Sequence, residues 1–150
     1  MLAIQYADPN HPQILALLKE SHKLIRSFYE TDEDHSLSID ELCGKGVRFL
    51  GAKIEETYIG CAALTLHENY GEIKSMFAAS DHRGKGVGRA LLGALEIEAI
   101  NLNLPFLKLE TGGLLKEAIG LYAKFGFQFC GPFGEYTDDG TSLFMHKKII

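Results

Sequence analysis

The chain has 150 residues, enough for one ordinary domain with a sizeable core, and 46% of them are hydrophobic. Fifteen basic residues stand against 20 acidic ones, giving a formal net charge of −5. That balance argues against a general nucleic-acid binder, which shows a broad basic excess. Cys43, Cys61 and Cys130 form no CxxC pair, so zinc and dithiol chemistry have no local support, and each reads as a small buried residue. The start, MLAIQYADPNHP, lacks the layout of a signal peptide, and no apolar run reaches membrane-spanning length. The expected setting is the cytoplasm.

LAIQY reads as a first strand, broken by DPNHP, with Pro12 suited to the first turn of a helix. Positions Ile14, Leu17, Leu18, Ser21, Ile25 and Phe28 keep a helical period, which predicts an amphipathic helix over 11–29. ETDEDHS follows as an acidic loop. SIDEL predicts a short helix, with Ser38 as N-cap and Glu41 at the capping-box position. VRFLGAKI and TYIGCAALTL, joined by EET, predict a hairpin. GEIKSMFAA is a further strand. After the stretch HRGKGVGRALL, Val87, Leu91, Leu95, Ala99 and Leu102 line one side of a helix running to about residue 102. FLKLET predicts a strand, LLKEAIGLYAKF a helix, FQFCGPF a strand, and SLFMHKKI the last strand. No repeat or linker is visible, so residues 1–150 read as a single domain of α/β or α+β class with a mostly antiparallel sheet.

HRGKGVGRALL holds Gly84, Gly86 and Gly88 at every second position, with Arg83, Lys85 and Arg89 among them. A strand, a glycine turn and a helix N-terminus make an anion site in principle, because free N–H groups and the helix dipole point the same way. A helix start packed tightly on the sheet explains the same glycines. A P-loop requires Lys followed by Ser or Thr, and here Lys85 precedes Gly86. A dinucleotide fingerprint requires G-x-G-x-x-G, whereas this is G-x-G-x-G.

Arg83-Gly84-Lys85-Gly86-Val87-Gly88 resembles the Q/R-x-x-G-x-G/A signature of the GNAT superfamily of N-acetyltransferases. GEIKSMFA resembles the fourth strand of that family, and LYAKFGF its later LYxxxGF element. More narrowly, EIKSM, LETG and CGPFGEYTDDGTSLFMHKK resemble a bacterial branch of acetyltransferases defined mostly by sequence. The resemblance implies about seven strands flanked by about four helices, in a sheet splayed between strands four and five. It also implies acetyl-CoA as cosubstrate, with no metal.

Carried over, the pyrophosphate would sit on N–H groups from Gly84 to Arg89. That segment holds Gly84, Lys85, Gly86, Val87, Gly88 and Arg89, and Arg83 adds charge beside it. Pantetheine would pair with backbone of Met76, Phe77 and Ala78 like an added strand. The usual V-x-P after that strand is absent: Ala78 and Ser80 stand in place of valine and proline. Leu115 stands where many relatives carry asparagine, so one cofactor contact is expected to be missing. Tyr122 aligns with the tyrosine facing the CoA sulfur; a phenol titrating near ~10 is protonated at neutral pH and can donate to a departing thiolate. Its alternative is a core tyrosine.

Glu72 matches a strand-four glutamate used as base in some relatives; its alternative is a strand-end carboxylate paired with Lys74. Glu110 is the second candidate, and a water chain a third. His35, Tyr136, Asp138, Asp139 and Ser142 are the polar groups expected at the acceptor pocket, and Glu33 and Asp34 sit in the acidic loop. The implied reaction is direct attack of an amine on acetyl-CoA in a ternary complex. A non-catalytic acyl-CoA-binding module and a protein lysine or N-terminal acetyltransferase are the alternatives. The expected partner is a small-molecule amine, not nucleic acid or membrane; the last strands often mediate dimers in relatives, leaving a homodimer open.

Overall fold

The computed structural model describes residues 1–29 and 36–150. In chain order the elements are β1 (Leu2–Tyr6), α1 (Pro12–Arg26), α2 (Ile39–Leu42), β2 (Val47–Ile54), β3 (Thr57–Leu66) and β4 (Tyr70–Ala78). There follow a 3-10 turn (Ser80–His82), α3 (Val87–Asn101), β5 (Phe106–Gly112), α4 (Lys116–Lys124), β6 (Gln128–Cys130) and β7 (Ser142–Lys148). The seven strands form one sheet in the order β1-β2-β3-β4-β5-β7-β6, antiparallel throughout except for the parallel pair β4–β5.

Most boundaries follow the apolar periodicity. α1 stops at Arg26, three residues before the expected end, and 27–29 continue as a turn in which Tyr29 N–H donates to Ile25 C=O at 2.9 Å. Ser38 and Glu41 form the expected capping box. β6 is confined to Gln128–Cys130, because Gly131-Pro132 follows and proline has no N–H for the ladder. The expectation of three buried cysteines holds only for Cys61; Cys130 is half-buried and Cys43 is exposed, because it caps the short α2 at a surface turn.

Two apolar clusters cover the two faces of the sheet. Leu91, Leu92 and Leu95 of α3 pack with Leu64, Leu107 and Leu109 on one face. Ile14, Leu17 and Leu18 of α1 and Leu42 of α2 pack with Phe49, Cys61 and Phe77 on the other. Leu91, Leu92 and Leu95 are fully buried; each contributes roughly 1.5–3 kcal/mol by leaving water. No helix among the described residues is long and apolar enough to cross a membrane.

The feature that shapes the site is a break in the middle of the sheet. β4 and β5 pair only from Tyr70↔Phe106 to Ile73↔Leu109. Beyond that point β4 stays with β3 while Glu110, Thr111 and Gly112 of β5 stay with β7. A bulge in β4 accompanies the separation. Cys61 and Ala63 of β3 are two residues apart, yet their partners Phe77 and Lys74 are three apart. The extra residue falls at 75–76, and Ser75 has φ of 54°. The side-chain phase of the strand therefore reverses: Ile73 faces the α3 cluster, and so do Met76 and Ala78, while Phe77 faces the α1 cluster.

Candidate active site

The split opens a cavity of about 920 Å³. Its walls come from the freed arm of β4, the glycine turn, α4, the end of β5 and the last turns of α1. Among the expected cofactor residues, Met76, Phe77, Ala78, Arg83, Gly84, Gly86, Val87, Gly88 and Arg89 line it, and Lys85 does not.

The three glycines serve different ends. Gly84 and Gly86 have φ of 77° and 83°, a conformation L side chains rarely adopt, and the space where a Cβ would stand is open at both. Gly86 is the N-cap of α3 and offers no side chain to cap it. The first turn of a helix has N–H groups without intrahelical partners, so those of Val87, Gly88 and Arg89 remain as donors beside the cavity. No acidic side chain opposes an anion in that turn. At Gly88, by contrast, a Cβ would lie 2.6 Å from Leu121 Cδ2, so this glycine permits α3 and α4 to pack closely. Arg83 folds back along the strand end: its Nε donates to Ala78 C=O at 3.1 Å, and its guanidinium lies 5.0 Å from the centre of the Phe77 ring. Its charge is thus held at the cavity wall.

Tyr122 projects from α4 into the lining, with 8% of its surface exposed and its ring edge-on to Phe127. Burial, reinforced by the negative charge of Glu110, pushes the phenol up to about 12. It is therefore a neutral donor at physiological pH. Glu110 lines the same cavity, and its Oε2 accepts from Ser142 Oγ at 2.7 Å. Ser142 is fixed in turn by Asp139, which accepts from its N–H at 2.8 Å.

Glu72 is 6% exposed and is not part of the cavity lining. Tyr136 O–H donates to Glu72 Oε2 at 2.6 Å, Lys74 Nζ donates to the Tyr136 hydroxyl at 2.7 Å, and Lys74 Nζ lies 3.5 Å from the same carboxylate oxygen. His67 Nε2 is 3.7 Å from the other oxygen. Tyr136 is thereby drawn away from the cavity, its ring packed against Phe133 and Phe144. Its phenol is raised strongly, by burial first and then by hydrogen bonding to Glu72. Asp138 accepts from Gly140 N–H and Asp139 from Thr141 N–H, so both shape the turn before β7. His35, Glu33 and Asp34 lie outside the described residues.

Two contributors escaped the sequence reading. Ser75 sits in the β4 bulge and borders the cavity, with its hydroxyl oxygen buried and without a hydrogen-bond partner among the described residues. Tyr29, just past α1, reaches across to the end of β5. Neither has a local signature, because each is brought to the site by a distant element.

The acetyltransferase (GNAT) family model matches residues 13–127, from α1 through the glycine turn to the end of α4. The chain belongs to the GNAT acetyltransferase family. It is 36% identical over 150 residues to an IAA acetyltransferase of Azospirillum brasilense, covering 99% of this chain and 98% of the relative. It is 34% identical over 149 residues to the uncharacterized N-acetyltransferase YsnE of Bacillus subtilis (strain 168), covering 97% and 99%. The PaiA N-acetyltransferase of Thermoplasma acidophilum, solved in complex with coenzyme A, shares the fold with a TM-score of 0.79 at 18% identity, covering 99% of each chain. This GNAT chain is accordingly an N-acetyltransferase, and the seven-stranded mixed sheet with its β4–β5 split is the family's fold.

Proposed function

We propose that this acetyltransferase moves an acetyl group from acetyl-CoA to a primary amine by direct attack in a ternary complex, within the cavity of the β4–β5 split. The observation that carries the reading is that one cavity joins a set of uncapped helix N–H groups to a neutral, buried phenol and a carboxylate. The turn from Gly84 to Arg89 suits the pyrophosphate, with Arg83 and Arg89 adding charge. The freed edge of β4 at Met76, Phe77 and Ala78 suits pantetheine, which would pair with it as an added strand.

For reaction, the amine nitrogen forms a bond to the thioester carbonyl carbon, the C–S bond breaks, and the sulfur leaves as thiolate. Tyr122 O–H supplies the proton to that sulfur, and the phenolate it leaves is reprotonated by the proton that the newly bonded nitrogen sheds. A lysine-like amine of pKa ~10.4 must first give up a proton, at a cost of about 4.6 kcal/mol at pH 7. Glu110 is favoured as its acceptor over Glu72, because Glu110 borders the cavity whereas Glu72 is engaged by Tyr136 and Lys74. Glu72, within β4, then acts as a positioning residue that holds Tyr136 and Lys74. The protein's main contribution is holding the two substrates in line.

The test is a panel of primary amines with acetyl-CoA, following thiol release. Tyr122→Phe is expected to lower kcat by about 100-fold, within the usual range for a positioned acid. Glu110→Gln should lower kcat/KM for the amine while leaving acetyl-CoA affinity unchanged, and Glu72→Gln should act chiefly on stability. Absence of acetyl-CoA binding would overturn the proposal as a whole. Unchanged turnover in Tyr122→Phe would remove the acid role alone.

A further inference from the structure

Tyr29 occupies a position that no requirement of acetyl-CoA binding explains. Its hydroxyl accepts from Leu114 N–H at 2.8 Å. A Cβ built on Gly112 would lie 2.2 Å from the Tyr29 hydroxyl oxygen and 2.4 Å from its Cζ, so the ring fills the place where a side chain at 112 would stand. Gly112 is the last residue of β5, while α1 packs on β3 and β4. Tyr29 therefore ties the end of α1 to the opposite arm of the split sheet, across the cavity mouth.

The surface it completes is apolar. Leu24 and Ile25 from the end of α1, Phe28 from the turn after it and Leu114 from the turn after β5 line the same cavity as Tyr29. Leu24, Phe28 and Leu114 are 37%, 45% and 52% exposed, an arrangement that leaves large apolar side chains facing water at one mouth. Exposed apolar groups gathered at the rim of a cavity are one mark of a ligand-binding groove. Glu110 lies at the end of β5 two residues before Gly112, and it lines the same cavity. A charged amine head at Glu110 would thus leave its apolar body against Tyr29, Phe28 and Leu114.

We propose that Tyr29, seated in the notch left by Gly112, is a specificity-determining wall of the acceptor end, selecting amines carried on an apolar body such as an arylalkyl group. This rests on the reading of the cavity as the site of acetyl transfer. Tyr29 takes no part in the chemistry; it holds one wall of the pocket in place.

The experiment compares wild type with Tyr29→Ala, Tyr29→Phe, Gly112→Ala and the double variant Gly112→Ala/Tyr29→Ala. Acceptors are 2-phenylethylamine and spermidine. Calorimetry measures acetyl-CoA binding, and then 2-phenylethylamine binding to the CoA complex. Wild type is expected to favour 2-phenylethylamine by about 10-fold or more in kcat/KM, the range an apolar pocket contact supplies. Tyr29→Ala should raise the KM for 2-phenylethylamine about 10-fold, leave acetyl-CoA affinity within about twofold, and collapse the preference. Tyr29→Phe keeps the ring and should retain most of the preference. Gly112→Ala should reproduce Tyr29→Ala, and in the Tyr29→Ala background it should add nothing, since the clash is gone. The inference is overturned if wild type prefers spermidine, if 2-phenylethylamine fails to bind the CoA complex, or if Tyr29→Ala acts on acetyl-CoA instead of the amine. If acetyl-CoA itself does not bind, the reading of the cavity fails and takes this inference with it.

Discussion

Two physical effects act on the Tyr122 phenol in the same direction. Burial removes water from the phenolate, and the nearby Glu110 charge repels it, so the neutral form is favoured in the folded protein. The folded value of about 12 stands above the ordinary value near 10. Folding stability from this group is fully present below pH ~10 and is lost as pH rises through about 12, because the unfolded chain ionises first. Tyr136 is shifted upward too, and adds to the same loss. Denaturant midpoints measured from pH 8 to 11.5 should therefore fall steeply above pH 10. Tyr122→Phe should flatten that fall without abolishing it, by up to about 2 kcal/mol at the alkaline end. Identical curves for the two proteins would show that Tyr122 is more hydrated than its burial implies. Spacing alone does not mark this environment: a helix tyrosine there reads as core, and it is the resemblance carried by LYAKFGF that singles out Tyr122. Only the split sheet puts its hydroxyl beside Glu110.

Elements show where local pattern suffices and where it stops. Apolar runs mark the seven strands among the described residues, a helical period marks α1, α3 and α4, and the capping box marks α2, since the apolar positions of the long helices face the two clusters. The β4 bulge leaves no such mark. GEIKSMFAA reads as an uninterrupted strand, and the residue at positive φ is a serine, not a glycine. Its cause is tertiary, because the strand must hold Ile73 on one face and then turn Phe77 to the other. The glycine turn is legible as a motif, yet its glycines divide by function. Gly84→Ala meets open space, so its cost is the left-handed backbone, about 1–2 kcal/mol, spent at the loop that aims the N–H groups. Gly88→Val meets Leu121 and should cost about 2 kcal/mol of stability by overpacking. Thermal melts and acetyl-CoA titrations on the two variants should separate. Gly84→Ala is expected to weaken acetyl-CoA several-fold more than Gly88→Val, and Gly88→Val to melt lower. The same ordering in both measurements would mean the glycines act as one unit.

Across the whole molecule, the glycine turn proposed to hold the donor stands out in the sequence, whereas the proposed acceptor end does so only in part. The donor half is a backbone device within one stretch of chain, so its residues are contiguous in sequence. The proposed acceptor end joins Glu110 and Ser142, which the sequence singles out, to Tyr29 and Gly112, which it does not; they meet only because the chain just past α1, β5 and β7 converge at the split. The split also has a thermodynamic consequence. β4 and β5 share only four paired positions, so beyond Ile73 and Leu109 the two arms are not joined by strand pairing. A ligand that hydrogen-bonds to the β4 edge and to the α3 turn at once binds the folded state alone. At a concentration 100 times its Kd it should stabilise the protein by about 2.7 kcal/mol, a rise in Tm of roughly 5–10 °C for a chain of this size. Coenzyme A, which lacks the acetyl group but keeps the pyrophosphate, should give nearly the same rise. S-acetylpantetheine, which keeps the thioester arm and lacks the pyrophosphate, should give much less at equal concentration. An equal shift from S-acetylpantetheine would mean that the uncapped N–H groups at Val87, Gly88 and Arg89 add nothing to donor binding, and that the β4 edge alone holds it.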